Sequence, residues 1–285
     1  MTVKGVSVVI PTHNRASQIR DKVDLLLADD YVREIVVVVD GSTDGTAETL
    51  REIDDPRLIV LVNAAAVGPS RSRNVGIQRT RCEWVALLDD DDHHSEGFLR
   101  TLKTVALDSR ADIVGTAWLH FDPGTDPRAG FNLARRSPGG PTLLSPSIVP
   151  EEDWSDSLWL PNNVLVRRSL LAKLQFDEGY LGNYWREESD FFVSATRAGF
   201  KVVVTSRAYS YQYEKPAGGI SRSNRLAYEY WVARNELRFV IRHGWWLKKN
   251  GHIAGIGPFL WSSMLRRMKP LLTQLARRIT KSGDS

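Results

Sequence analysis

Two runs of β-branched residues constrain the fold of this chain more than any other feature. Val6–Ile10 and Ile35–Val39 consist almost wholly of Val and Ile, a pattern typical of strands buried on both faces of a parallel sheet. Leu58–Val62 and Trp84–Leu88 are similar. Helix-like segments separate these runs, and the alternation predicts an α/β fold, a mostly parallel sheet flanked by helices and wound by right-handed crossovers. The helix-like segments are Ser17–Ala28, Thr46–Ile53 and Ser70–Thr80.

The rest of the chain is less regular. Ile113–Trp118 and Lys201–Thr205 are predicted to add strands to the sheet. Asp122–Pro161 is rich in Pro and Gly and predicts a long loop, either a functional lid or a partly mobile segment. Ser221–His243 predicts a helix closed by Gly244.

Charge divides the chain into two parts. From Lys201 onward there are 16 Lys and Arg against 4 Asp and Glu, whereas the remainder has 22 against 30. A basic tail suits an anionic partner, either nucleic acid or the negatively charged leaflet of a membrane, and the acidic body argues against nucleic acid wrapping the whole protein. We therefore expect a sheet-bearing domain at 1–220 and a basic helical extension at 221–285, with amphipathic helices within residues 245–281.

Composition excludes several classes of protein. Hydrophobic residues make up 42% of the 285 and charged residues 25%, which are ordinary globular values. Cys82 is the only cysteine, so neither an internal disulfide nor a thiolate zinc cage is available. No stretch reaches the roughly 18 apolar residues of a spanning helix, and the N-terminal apolar run is too short for a signal peptide. We expect a cytoplasmic protein.

Four consecutive aspartates, Asp89–Asp92, directly follow the apolar run WVALL. Adjacent carboxylates repel one another, and a cation among them relieves the repulsion. Hard oxygen ligands suit Mg²⁺, Mn²⁺ or Ca²⁺, and Mg²⁺ in particular binds one or two carboxylates together with substrate phosphates. The alternative is a solvated acidic turn.

Other polar residues follow the predicted strands, at the edge where ligands bind in open α/β sheets. Asp40 ends the second run and can accept hydrogen bonds from a base or ribose, or cap the next helix. Arg71 and Arg73 open a later helix, where they face a diphosphate or lie on a solvated helix face.

A second acidic cluster contains Glu187, Glu188 and Asp190. Carboxylates at the start of a helix can simply be stabilised by its dipole. Alternatively, like-charged neighbours and aromatic bulk raise a carboxyl pKa, which suits a general base. The phosphate loop, the dinucleotide fingerprint, the nucleophile elbow and the zinc-protease motif are all absent from the sequence.

The ordered segments SVVIPTHNR, VVVDGSTDGT, GPSRSRNVGI, WVALLDDDD and REESDFFVSATRAGF resemble the family 2 glycosyltransferases with the GT-A fold. The likeness covers roughly residues 5–205. It implies a GT-A catalytic domain with a nucleotide-sugar half at 1–118 and an acceptor half at 119–220.

The resemblance also implies roles for individual residues. Thr12 and Asp40 would hold the base and ribose, Pro11 and Arg15 would shape that pocket, and Arg73 would lie near the diphosphate. Asp89 and Asp91 would form the D-x-D element that binds ribose and metal, helped by Asp90 and Asp92. The register within the four aspartates can differ by one residue.

Glu188 would be the catalytic base, with Glu187 and Asp190 as the alternatives. The sequence departs from the family at this point, because the usual Glu-Asp pair is Glu187-Glu188. It departs again at residues 210–213, where many members have a metal-binding histidine and this chain has Ser-Tyr-Gln-Tyr.

The resemblance implies an inverting enzyme that uses Mn²⁺ or Mg²⁺ and a nucleotide sugar, with UDP as the favoured nucleotide. The expected acceptor is a hydroxyl of a lipid-linked or cell-surface glycan. Residues 245–281 would bind an anionic membrane at its inner face, or pack in the core or against a second subunit. The competing functions are a sugar-phosphate nucleotidyltransferase and a catalytically silent, membrane-anchored binding protein.

Overall fold

A nine-stranded sheet organises the protein, as seen in a computed structural model that describes residues 3–136, 149–213 and 225–265. The elements in chain order are β1 (Val3–Thr12), α1 (Ile19–Leu27), β2 (Val32–Asp40), α2 (Thr46–Arg51), β3 (Leu58–Asn63), α3 (Pro69–Ile77), β4 (Cys82–Leu87), β5 (His93–His94), α4 (Phe98–Ser109), β6 (Ile113–Phe121), α5 (Pro127–Ala134), β7 (Trp154–Asp156), β8 (Val164–Arg167), α6 (Arg168–Leu171), α7 (Glu187–Arg197), β9 (Val202–Tyr213) and α8 (Arg225–Lys249).

The sheet has the strand order β3-β2-β1-β4-β8-β6-β9-β5, and β7 pairs with β9. The first four strands are all parallel. In the second half, β6 and β9 are parallel, whereas β8 runs antiparallel to both β4 and β6. The predicted α/β fold is confirmed, and the described sheet is mostly parallel, with β5, β7 and β8 antiparallel to the strands they pair with.

Alternate residues of the central strands pack into two cores, one on each face of the sheet. In β2, Val37 and Val39 lie in the core covered by α1, α2 and α4, whereas Val36 and Val38 lie in the core covered by α6 and α7. All four side chains are fully buried. The two-sided burial predicted from the Val and Ile runs is therefore correct for this strand. β3 differs because it is an edge strand, and its Val62 is half exposed.

Two predictions about the second half of the chain are wrong. The segment Asp122–Pro161 contains α5 and β7 as well as loops, and residues 137–148 lie outside the described part. α5 begins where Asp126 accepts a hydrogen bond from the Ala129 N–H (2.7 Å) and a proline occupies the first turn, a common helix start.

The predicted helix end at Gly244 is also wrong, because α8 continues through Gly244 to Lys249. A Cβ at Gly244 would lie 3.2 Å from the Ile256 side chain. The glycine therefore allows close packing inside the helix rather than ending it. Residues 256–265 form a further helical segment, and the predicted basic residues beyond 265 lie outside the described part. No helix among the described residues is both long and apolar enough to cross a bilayer.

Candidate active site

Asp40 ends β2 beside the loop that leads into α3. Its carboxylate accepts hydrogen bonds from the backbone N–H groups of Val67 (2.9 Å) and Gly68 (2.8 Å) and from the Asn63 amide (2.9 Å). The side chain is buried. Asp40 thus fixes the loop before α3 at the edge of the sheet where β1, β2 and β3 all end.

The alternative interpretation of Asp40 was that it caps the next helix, but Asp44 takes that role. The Asp44 carboxylate accepts a hydrogen bond from the backbone N–H of Thr46, the first residue of α2 (3.1 Å). Gly41, with φ of 62°, makes a close backbone approach, since a Cβ there would lie 2.2 Å from the Ala66 nitrogen.

The end of β1 contacts the aspartate cluster directly. The Thr12 hydroxyl donates to Asp90 (2.7 Å), and Arg15 lies 2.9 Å from Asp91 and 3.6 Å from Asp90. Pro11, the residue before Thr12, pairs with Val38 in the sheet. Burial and the charge of Asp91 raise the pKa of Asp90 to about 6, against the hydrogen bond from Thr12.

Asp92 is buried beneath the cluster in a polar network. It accepts hydrogen bonds from the Trp118 indole (3.0 Å) and from the Asn163 amide, while Lys22 donates to its backbone carbonyl (2.5 Å). Burial and the charges of neighbouring aspartates raise the Asp92 pKa to about 7. Burial lowers the Lys22 pKa to about 8 even though these aspartates oppose the shift.

Arg73 joins the two acidic clusters. Its guanidinium lies 2.8 Å from Asp89 and 2.6 Å from Glu187 and is almost fully buried. Ser70 donates a further hydrogen bond to Glu187. Burial alone would lower the pKa of Arg73, but the charges of Glu187 and Asp89 raise it. Arg71, by contrast, is exposed, and its guanidinium lies 3.9 Å from Glu178. The solvated-face interpretation therefore fits Arg71 and does not fit Arg73.

Glu188 follows Glu187 in the first turn of α7 and is half-buried. One of its oxygens accepts a hydrogen bond from the Asn162 amide (2.8 Å). Burial and the charges of Glu187 and Asp89 raise the pKa of Glu188 to about 8, with Arg73 acting in the opposite direction. A carboxylate with this pKa is a stronger base than an ordinary glutamate.

Asp190 has different hydrogen-bond partners from Glu188. It is buried and accepts hydrogen bonds from Tyr180 (3.0 Å), Arg242 (2.7 Å) and His243 (2.8 Å). Burial pushes its pKa upward, but the hydrogen bonds and charges of His243 and Arg242 outweigh burial and lower the pKa. Asp190 therefore ties α7 to α8 and does not share the surroundings of Glu188.

Three residues around these groups have left-handed backbone conformations. The φ angles are 73° at Asn163, 55° at Tyr184 and 73° at Arg186. Asn163 contacts Asp92, and the other two precede Glu187 in the chain. Such conformations are uncommon for residues other than glycine, and they concentrate at functional sites.

The exposed carboxylates of the aspartate cluster are candidate ligands for a divalent cation. In the described part of the chain, no group of three or more His, Cys, Asp or Glu side chains could hold a metal ion alone. Asp89 and Asp91 keep 29% and 25% of their side chains exposed. One or two accessible carboxylates completed by substrate phosphates are what Mg²⁺ commonly uses. The donor set therefore fits a cation that binds with the substrate. Gln212, in the segment without the expected histidine, donates to Asp91 (2.9 Å).

The family model described as Glycosyl transferase family 2 matches residues 7–174, which is more than half of the chain. The chain belongs to glycosyltransferase family 2. The match includes the aspartate cluster and Arg73 and ends before Glu188.

This family 2 glycosyltransferase has relatives in several bacteria. Glycosyltransferase GlyG of Streptococcus pneumoniae is 25% identical over 76% of this chain and 73% of its own length. The GalNAc(5)-diNAcBac-PP-undecaprenol beta-1,3-glucosyltransferase of Campylobacter jejuni is 27% identical over 62% of this chain, which spans 56% of that relative's length.

Solved structures of Staphylococcus aureus TarS, residues 1–349, show the same fold. The complex with UDP has a TM-score of 0.56 and 21% identity, and the complex with UDP-GlcNAc has 0.56 and 19%. Each alignment covers 87% of this chain and 74% of the TarS chain. The GT-A fold expected for this family 2 glycosyltransferase is confirmed.

The polar residues of the family 2 site that were not predicted from the sequence include Lys22, Trp118, Asn162 and Asn163. Lys22 could have been predicted from the sequence, because it shares the buried face of α1 with Ile19, Val23 and Leu26. A lysine on an apolar helix face is rarely buried without a polar partner. The other three reach the site through β6 and the turn before β8, which connect distant parts of the chain.

Proposed function

We propose that this protein is an inverting glycosyltransferase that moves a sugar from a nucleoside diphosphate sugar, with UDP favoured, to a hydroxyl acceptor. The observation that carries the proposal is the position of Arg73 between Asp89 and Glu187. This contact puts the aspartate cluster and the residue next to Glu188 in one site. In a glycosyl transfer, the groups that stabilise the leaving group and the base that activates the acceptor must lie close together.

The donor would bind along the ends of β1, β2 and β4. Thr12, with Pro11 before it, and Asp40 are assigned to the base and ribose, and Arg15 to the wall of that pocket. Arg73 would face the diphosphate, where a buried guanidinium stabilises the developing negative charge strongly. The UDP and UDP-GlcNAc named in the TarS complexes support this class of donor.

Asp89 and Asp91 would hold Mn²⁺ or Mg²⁺ when the donor is present. Their greater exposure supports this register of the D-x-D element over one displaced by a residue, because the side chains of Asp89 and Asp91 are 29% and 25% exposed, whereas that of Asp90 is 13% exposed and Asp92 is buried. The cation would neutralise charge on the diphosphate leaving group. Gln212 and Arg15 orient the Asp91 carboxylate from two sides.

Glu188 is assigned the role of general base. It would accept the proton of the acceptor hydroxyl while that oxygen bonds to the anomeric carbon and the bond from this carbon to the diphosphate oxygen breaks. Attack from the face opposite the leaving group inverts the anomeric configuration. Asn162 would hold one Glu188 oxygen in place and leave the other for the acceptor.

The acceptor would be a lipid-linked or cell-surface glycan. The Campylobacter relative is named for an undecaprenol-linked glycan. A lipid-linked acceptor would put the enzyme at the inner face of the membrane, with residues 245–281 in contact with anionic lipid.

The test is transfer from UDP-sugars in the presence of Mn²⁺, with donor hydrolysis as the second readout. Magnetic resonance of the early product gives its anomeric configuration. We expect inversion, and loss of both activities in Asp91→Ala and in Glu188→Gln. Retention of configuration, or equal residual activity in both variants, would contradict the proposal. Release of pyrophosphate from a nucleoside triphosphate and a sugar phosphate would instead identify a nucleotidyltransferase.

A further inference from the structure

The outward side of α8 carries a continuous apolar stripe. Its five large apolar side chains lie at intervals of four or seven residues, which puts them on one side of a helix. Between 52% and 84% of each residue is exposed. We call this stripe the α8 face, and it consists of Leu226, Tyr230, Leu237, Ile241 and Trp245.

Charge on the exposed side of α8 has one sign. The exposed charged residues of the helix are Arg225, Arg242, Lys248 and Lys249. Its two acidic residues are withdrawn from the surface: Glu229 is half-buried, and Glu236 is buried against Arg186. The exposed positions of the helix thus combine apolar and cationic groups, whereas its two acidic residues occupy a half-buried and a buried position.

The neighbouring helical segment extends the same surface chemistry. In residues 256–265, Trp261 is 59% exposed, and Met264 and Leu265 are each 44% exposed. No acidic residue occurs between 237 and 265. Groups of exposed apolar side chains with polar residues at their margin mark interaction sites on soluble domains.

We propose that the α8 face docks onto an anionic lipid bilayer and lies in the plane of its interface. Tryptophan and tyrosine favour the interfacial region, aliphatic side chains enter the acyl boundary, and lysines attract anionic headgroups. Trp245 and Lys249 show this arrangement within one helical turn, with the ammonium 5.0 Å from the ring centre. A second copy of the chain is a poorer occupant, because a symmetric contact through this face would bring like charges together.

Docking through this face would hold the membrane next to the site. The inner side of α8 is attached to the segment around Glu188, through Glu236 to Arg186 (3.1 Å) and through His243 to Asp190 (2.8 Å). A lipid-linked acceptor would then be presented from the bilayer to a base on the neighbouring helix. This step rests on the proposed function, whereas the docking itself does not.

The docking is tested by co-sedimentation of the full chain with phosphatidylcholine vesicles, with and without phosphatidylglycerol. We expect binding that requires phosphatidylglycerol and weakens with added salt. The test variant is Ile241→Glu, and its matched control is Leu107→Glu, which changes a residue of α4 that is 60% exposed. Ile241→Glu should lower the vesicle partition coefficient by about tenfold or more, and the control should bind like the unaltered chain.

Both variants retain all basic residues beyond 265, so a tail that suffices by itself would leave Ile241→Glu bound normally. That result, or the absence of binding to anionic vesicles, overturns the proposal. Sedimentation velocity detects the competing occupant, since a dimer that Ile241→Glu dissociates would assign the face to a second copy. Donor hydrolysis without vesicles is measured on the same samples. Its absence would count against the proposed function and would leave the vesicle result to decide the docking.

Discussion

The two acidic clusters of this protein have similar sequences and different arrangements. In Asp89–Asp92, the side chains of Asp89 and Asp91 are more exposed than that of Asp90, and Asp92 is buried. In the cluster at the start of α7, each carboxylate has a separate partner: Glu187 binds Arg73, Glu188 binds Asn162, and Asp190 binds α8. The difference shows that carboxylates one to three residues apart can pair with a buried guanidinium, with a neutral amide or with another helix, depending on what packs against them.

Glu188→Gln should produce the largest loss. The amide cannot accept the acceptor proton, so kcat should fall by about 10²- to 10⁴-fold, whereas the thermal unfolding midpoint should change little. The measurement is the initial rate of transfer at saturating donor and acceptor. Glu96→Gln, at an exposed glutamate, is the control. Transfer at the unaltered rate would remove Glu188 from the chemistry and favour Glu187.

Arg73→Met tests the link between the clusters through stability. The substitution leaves Glu187 buried without its ion partner, which should lower the free energy of unfolding by about 3–5 kcal/mol. Arg71→Met, two residues earlier on an exposed surface, should change it by less than about 0.5 kcal/mol. Urea unfolding at neutral pH measures both. Equal effects in the two variants would mean that Arg73 does not hold the clusters together.

Asp190→Asn separates the helix tie from the base. Loss of charged hydrogen bonds to Arg242 and His243 should lower the free energy of unfolding by about 1–3 kcal/mol. The folded-state pKa of Asp190 lies below its ordinary value. Its contribution is therefore present above the unfolded pKa and is lost as pH falls through the folded value. Denaturant titrations at neutral and acidic pH follow this loss, and kcat for the folded variant should stay close to that of the unaltered protein. A kcat loss as large as that of Glu188→Gln would place Asp190 in the chemistry.

Asn162→Ala should give the smallest effect, a shift of the pH profile. With a Glu188 pKa of about 8, kcat/KM of the free enzyme should rise with pH up to about 8 and then level, because the base acts when deprotonated. The Asn162 amide stabilises the ionised carboxylate. Its loss should therefore move the rising part of the pH profile, which we call the limb, to higher pH by about one unit. Asn132→Ala, at an exposed site on α5, should leave the limb in place. A limb that is unchanged in Asn162→Ala would assign the profile to another group.

Much of the fold followed from local patterns. The Val and Ile runs identified the parallel strands because two-sided burial requires continuous apolar character. Gly244 misled the analysis, since the glycine that commonly ends a helix also permits close packing in its middle. Asp126 and Pro127 form a recognisable helix start, but the Pro and Gly content around them led to the prediction of a loop.

The chain alone determined the strand and helix alternation, the four aspartates after β4, and the family to which they point, because these depend on neighbouring residues. Tertiary structure decided that Arg73 and not Arg71 joins the acidic clusters, that Asn162 contacts Glu188 while Asp190 contacts α8, and that α8 exposes a cationic, apolar side. Each of these contacts joins residues that are far apart in the chain or depends on which side of a helix is covered. Burial and the distance to a charged partner set the strength of each ion pair and the pKa of each carboxyl group. Both arise only when those segments pack together.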